Sequence, residues 1–296
     1  MDVLSSGHGT LEVPTVDGAG GLYFSDIFNG GVYHLTAAGD IAVVVPRRRG
    51  VAGLCLHADG GIVVGGRNIT HVRDGVSTIL LDPAVLPVHE GAPVTGFNDF
   101  VADRDGRILA GTVRVDAQLA EQQRRTGTRA GGVFGQVPGE LILITGINQA
   151  EPLYEVAHPN GAAFDAPGRR LYHADTNNRR LLVSEVDAGG RPRVVEMFST
   201  ADYPGVPDGV VTDQDGGVWV ALYGGGQLIR FSETGQVTDR MVVPSDDVTS
   251  MCFGGADLRT LYLTTASHRE HPELGGCVLR TTTEVAGVAV SSATIA

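Results

Sequence analysis

Residues 209–243, GVVTDQDGGVWVALYGGGQLIRFSETGQVTDRMVV, alternate short apolar runs with glycine-centred turns. GVVTD, VWVAL, QLIRF and QVTDRMVV carry the β-branched and aromatic residues of strands, and QDGG, YGGG and SETG between them are turn sequences. Four strands joined by tight turns make one antiparallel unit. Outward from this stretch the unit recurs: a turn glycine precedes an apolar strand core at Gly20 (GGLYF), Gly60 (GGIVV), Gly106 (GRILA), Gly168 (GRRLY) and Gly216 (GGVWV). The glycines are 40, 46, 62 and 48 residues apart, and SMCFGGADLRTLYLTTA, with Leu261-Tyr262-Leu263 as its strand core, supplies a sixth, slightly altered unit. Such units predict an all-β chain: a six-bladed β-propeller with four-stranded antiparallel blades around a central channel, one domain over residues 1–296. A parallel α/β fold would need helices between its strands, and the one good helical stretch is DAQLAEQQRR, residues 116–125. A β-sandwich would not explain sixfold regularity.

The 296 residues are 42% hydrophobic and 19% charged, a globular composition without disordered or fibrous bias. A net charge of -12 and a pI near 5.1 argue against nucleic acid or an anionic membrane as partner. The first residues, MDVLSSGHGTLEV, lack the basic start and apolar run of a signal peptide, and no stretch approaches the roughly twenty apolar residues of a membrane span. A cytoplasmic protein is expected, with its oligomeric state left open. Cys55, Cys252 and Cys277 are odd in number and scattered, which points to free thiols rather than disulfides or a zinc knuckle.

Eight positions before four of the anchor glycines stand Glu12, Asn98, Asn160 and Asp208. In a propeller the innermost strand of each blade lines the channel, so these side chains converge on the axis. Two carboxylates and two amide oxygens suit a hard divalent cation. The loops between second and third strands return to the same face: Asn29-Gly30-Gly31, Gly66-Arg67-Asn68, residues 116–139, Thr176-Asn177-Asn178, Tyr223-Gly224-Gly225 and residues 267–276. The third is much the longest and reads as an inserted, lid-like loop.

GFNDFVADRDGRILAGT, HPNGAAFDAPGRRLYHADT, VPDGVVTDQDGGVWVALYGGGQLIRF and VTSMCFGGADLRTLYLTTA resemble the family of senescence marker protein (regucalcin), gluconolactonase and luciferin-regenerating enzyme. The resemblance runs from about Leu11 to Val288, with four motifs in order. It implies a six-bladed propeller with one catalytic divalent metal ion, calcium, zinc or manganese. The family's E-[GS]-P glutamate corresponds to Glu12 in Glu12-Val13-Pro14, its N-G asparagine to Asn160, its P-D-G aspartate to Asp208, and its N-D asparagine, near metal and substrate, to Asn98. Sugar-lactone members resemble one another in an arginine two residues before that last asparagine; here the position is Gly96. Loss of a charged hydrogen-bonding fork there points to a lactone less polar than an aldonolactone.

The expected chemistry is hydrolysis of a small-molecule lactone by metal-activated water, with Glu12, Asn160 and Asp208 as metal ligands, Asp208 as general base, and Asn98 orienting substrate. Other metal-assisted chemistry on the same scaffold, such as phosphotriester hydrolysis, ring opening or elimination, is the alternative, and a non-enzymatic interaction propeller a third reading. There is no G-x-S-x-G motif. His158, Tyr223, His268, Arg269 and His271 fall near mouth loops, and His158, Tyr223 and His268 join Gly96 as candidate substrate contacts. Asp99 points away from the axis if its strand is regular. Asp175 faces the mouth or caps a turn. The Asp-Gly pairs at 59-60, 105-106 and 215-216 are turn formers, since the D-x-D-x-D-G series of a calcium loop is missing. Arg47-Arg48-Arg49 reads as a solvated turn.

Overall fold

The anchor glycines explain themselves in the structure, a computed structural model that describes residues 1–89, 91–115 and 137–296. All five have positive φ, between +65° and +92°, so each turn demands a residue without a Cβ penalty. Three residues before each stands an acceptor that closes the turn. Asp17 accepts from the backbone N–H groups of Ala19 and Gly21, Asp103 from Asp105 and Arg107, Asp165 from Arg169 and Arg170, and Asp213 from Asp215 and Gly217. In the second blade His57 Nδ1 accepts from Asp59. The Asp-Gly pairs are therefore parts of side-chain-capped turns.

The strands form six four-stranded antiparallel sheets. Five are built from consecutive strands, inner to outer, over residues 11–46, 54–81, 94–156, 159–199 and 206–242. The sixth takes Val248–Gly254, Thr260–Thr265 and Gly276–Thr282, then borrows Asp2–His8 as its outermost strand, with Asp2 opposite Arg280 and His8 opposite Gly276. One blade thus joins the two ends of the chain. The inner strands Leu11–Val16, Leu54–Leu56, Val94–Ala102, Pro159–Phe164, Val206–Thr212 and Val248–Gly254 each touch the next, and the last touches the first, so the ring is complete.

Both faces of a blade must be apolar because each packs on a neighbour. Each core cluster spans two adjacent blades, as where Cys55, Val63 and Ile69 meet Phe100, Ile108 and Ile142. The three cysteines are free and buried, and burial pushes the Cys55 thiol up to about 12, which rules it out as a thiolate nucleophile at neutral pH. No helix among the described residues is long and apolar enough to cross a membrane. Beyond the sixth blade the chain crosses the lower face of the channel. Gly287 bridges to Asp213, Ala293 pairs with His57 and donates to Leu56, and Thr294 donates to Gly106.

Candidate active site in the channel

A register shift interrupts the inner strand at each of the four positions eight residues before an anchor glycine. It falls between Glu12 and Thr15, Phe97 and Phe100, Pro159 and Ala162, and Pro207 and Val210. Bulges bend a strand and re-aim its side chains, and here they turn Glu12, Asn98, Asn160 and Asp208 toward one cavity. The glycines that follow two of these residues allow the ring to be this narrow. A Cβ on Gly161 would stand 2.5 Å from Val210 N and 2.6 Å from Asp208 O, and one on Gly209 2.6 Å from Ser250 Cα. After Glu12 the corresponding residue is Val13, held at φ 44° although β-branched, a strained conformation kept by its burial between the first two blades.

The bulged residues divide the channel. Above them lies a cavity of about 550 Å³ lined by Glu12, Asn98, Asn160 and Asp208, by Gly96, His158 and Tyr223, and by the apolar side chains of Ile27, Phe28, Ala52, Phe97, Val113 and Val206. Below them lies a smaller one of about 150 Å³ bounded by all six inner strands and floored by residues 288–291. Asp99 lines this lower chamber at 6% exposure. Regular alternation would have turned it away from the axis; the bulge between Phe97 and Phe100 breaks that alternation.

The amides are tied together across blades. Asn98 Nδ2 donates to Pro159 O at 2.7 Å and to Asn160 Oδ1 at 3.1 Å, and the Asn160 amide in turn hydrogen-bonds the Asp208 carboxylate. The three carboxyl groups are buried and mutually repelling. Burial first, then the charges of Asp208 and Asp99, pushes Glu12 well above the usual carboxylate range; burial and Asp99 do the same to Asp208, and burial lifts Asp99 to about 7. Glu12 Oε2 and Asp99 Oδ1 have no hydrogen-bond partner. Buried oxygens without donors, beside carboxylate and amide oxygens, are the donor set of a hard cation, so the residues present fit a divalent metal ion.

At the mouth, burial lowers the His158 imidazole against the opposing pull of Asp175, leaving it neutral at neutral pH. Burial and the charges of Asp247, Asp208 and Glu12 raise the Tyr223 phenol, which stays protonated and able to donate. Asp175 does not cap the backbone of its turn; its carboxylate accepts from the side chains of Asn178 and Arg180 and does not line the cavity. His268 does not line the cavity: it is 7% exposed, and its Nδ1 accepts from His271 N–H. The lid-like reading of residues 116–139 lies largely outside the described residues. Arg48 is not solvated, as a turn arginine would be. Its guanidinium donates to Gly65 O, Asn68 O and Asn68 Oδ1 at 2.7–2.9 Å. Its partners had no signal in the sequence, because they sit one blade away.

The chain is 31% identical over 280 residues to the 6-deoxy-6-sulfogluconolactonase of Pseudomonas putida, covering 90% of this chain and 89% of that one. It is 29% identical over 212 residues to the regucalcin of Xenopus laevis, covering 68% and 67%. Its fold matches the solved structure of a luciferin-regenerating enzyme with a TM-score of 0.81 at 23% identity, over 99% of this chain and 97% of that one. A model of the SMP-30/Gluconolactonase/LRE-like region matches residues 11–267, and the chain belongs to that family.

Proposed function

We propose that this protein is a metal-dependent hydrolase that opens a lactone, and that its ring is less hydroxylated than an aldonolactone. The observation that carries the reading is the convergence of Glu12, Asn160 and Asp208 on the base of a mostly apolar cavity, with Glu12 Oε2 unpartnered and the Asp99 carboxyl close enough beneath to repel both acids. Glu12, Asn160 and Asp208 would hold the ion, with Asn98 beside them. A divalent cation bound there supplies Lewis acidity to the ester carbonyl and a lowered pKa to a nearby water. Asp208, oriented by the Asn160 amide, takes the proton as hydroxide adds to the carbonyl. Asn98 donates to Asn160 Oδ1 and lines the cavity beside it, where it orients the substrate. Tyr223 and neutral His158 stand at the mouth as donors to the ring or leaving oxygen. The names of the relatives, among them a sulfogluconolactonase and a pentonolactonase, support lactone chemistry.

The testing experiment is a turnover panel of aliphatic, aromatic-fused and sugar lactones, with organophosphates beside them, after chelation and after adding calcium, zinc or manganese. Lactone hydrolysis that needs the added ion and is lost in Asp208→Asn is expected. Metal-supported turnover of organophosphates alone would replace this reading with the phosphotriester one.

A further inference from the structure

Gly96 leaves no side chain on the third blade's wall, and the reason lies in the neighbouring blade. Phe97 N–H donates to Gly66 O at 2.8 Å, bridging the second blade's mouth loop onto the inner strand of the third. A Cβ at position 96 would stand 2.9 Å from that same carbonyl oxygen. Any side chain there would have to displace the bridge. The residue this bridge presents to the cavity, one position after Gly66, is Arg67.

Three features set Arg67 apart from an ordinary surface arginine. Among the described residues it is the only lysine or arginine lining the upper cavity. It makes no hydrogen bond or ion pair with any described residue. Its backbone is clamped on both sides: Gly65 and Asn68 are held by the Arg48 fork, Asn68 Oδ1 also accepts from Thr70, and Gly66 is held by Phe97. Loops at a propeller mouth have no need of this bracing unless they present something. A guanidinium carried on a braced backbone has less loop freedom to lose on binding than one on a loose loop.

We propose that Arg67 is the specificity-determining residue of this cavity, and that the lactone it selects carries an oxyanion substituent, such as a carboxylate or sulfonate, away from the ester that is opened. The inference rests on the lactone reading above and sharpens it. Few hydroxyls are expected on the ring because the walls around Gly96 are apolar, and one anionic group is expected because the one guanidinium lining the cavity among the described residues has no partner among them. The guanidinium would grip two oxyanion oxygens through parallel N–H bonds, geometry a lysine does not reproduce.

The test compares γ-butyrolactone with the same ring bearing a carboxylate, in metal-loaded wild type, Arg67→Gln and Arg67→Lys. Wild type should favour the carboxylated ring in kcat/KM by about 10- to 100-fold, the range for charge-assisted hydrogen bonds. The preference should collapse toward unity in Arg67→Gln, mainly through KM, and fall part-way in Arg67→Lys. Binding of two lactams that are not turned over, pyroglutamate and its uncharged parent pyrrolidone, gives a readout independent of catalysis. Tighter binding of pyroglutamate by wild type, lost in Arg67→Gln, supports the role of Arg67 even if no lactone is hydrolysed, an outcome that would sink the lactone reading alone. Equal handling of charged and uncharged rings by wild type, or a preference that survives Arg67→Gln, overturns the proposal.

Discussion

Replacing Asp99 by Asn should make the metal-free protein more stable, and the size of the gain can be worked from its surroundings. Burial holds the Asp99 carboxyl at about 7 against an ordinary value of 3.8. A gap of that size, at about 1.36 kcal/mol per pH unit, is about 4 kcal/mol of destabilisation once the group is ionised in the folded state. The sign follows from proton binding. Below about pH 3.8 Asp99 is protonated folded and unfolded, and costs nothing; between 3.8 and about 7 only the unfolded chain releases the proton, so stability falls as pH rises; above about 7 the full penalty stands. Asparagine never ionises, and its removal of charge also eases Glu12 and Asp208, both of which Asp99 pushes upward. With an unfolding entropy near 2.1 cal/mol/K per residue, or about 0.6 kcal/mol/K for the chain, the gain is about 7 °C in Tm. Thermal unfolding of wild type and Asp99→Asn in chelator, at about pH 4 and about pH 8, measures it. Equal melting temperatures near pH 8, or a gain of the same size near pH 4, would refute the reasoning.

Asp208→Asn should lower kcat by about 10²- to 10⁴-fold, as expected for loss of a general base, while circular dichroism shows an unchanged fold. Gly209→Ala drives a methyl group into Ser250, 2.6 Å from its Cα, and should cost about 1–3 kcal/mol, seen as a Tm lower by about 2–5 °C together with weakened ion binding. Saturating a chelated sample with the activating cation at about a hundred times its Kd should add about 2.7 kcal/mol, or about 4 °C, and Glu12→Gln should lose most of that increment.

The register of the four channel residues was legible because only the rest of the inner strand separates each bulged residue from its turn glycine, so Glu12, Asn98, Asn160 and Asp208 carry the same spacing wherever they occur. The blade number followed from the same repeat. What escaped the sequence was set by contacts between blades. Asp2–His8 completes the last sheet through backbone pairing with residues at the far end of the chain, which leaves no mark on composition. The bulges arise where inner strands crowd the axis, and they overrule the alternation from which Asp99 would have been turned outward. Arg48 looked like one of three solvated arginines until the neighbouring blade supplied its acceptors. His268 is bound within its own loop, accepting from His271 N–H, and does not line the cavity.

The strand of chain laid from Asp213 to His57 across the lower face makes the propeller a vessel with a floor rather than a pipe. Among the described residues the substrate cavity then opens on the upper face alone, so reactant and product share that doorway and traffic through it alternates. A ring that has opened into a longer hydroxy acid has to back out past Phe28 and Tyr223, the way its precursor came in, before the next molecule is admitted. Accumulated hydroxy acid should accordingly slow the enzyme as a purely competitive inhibitor.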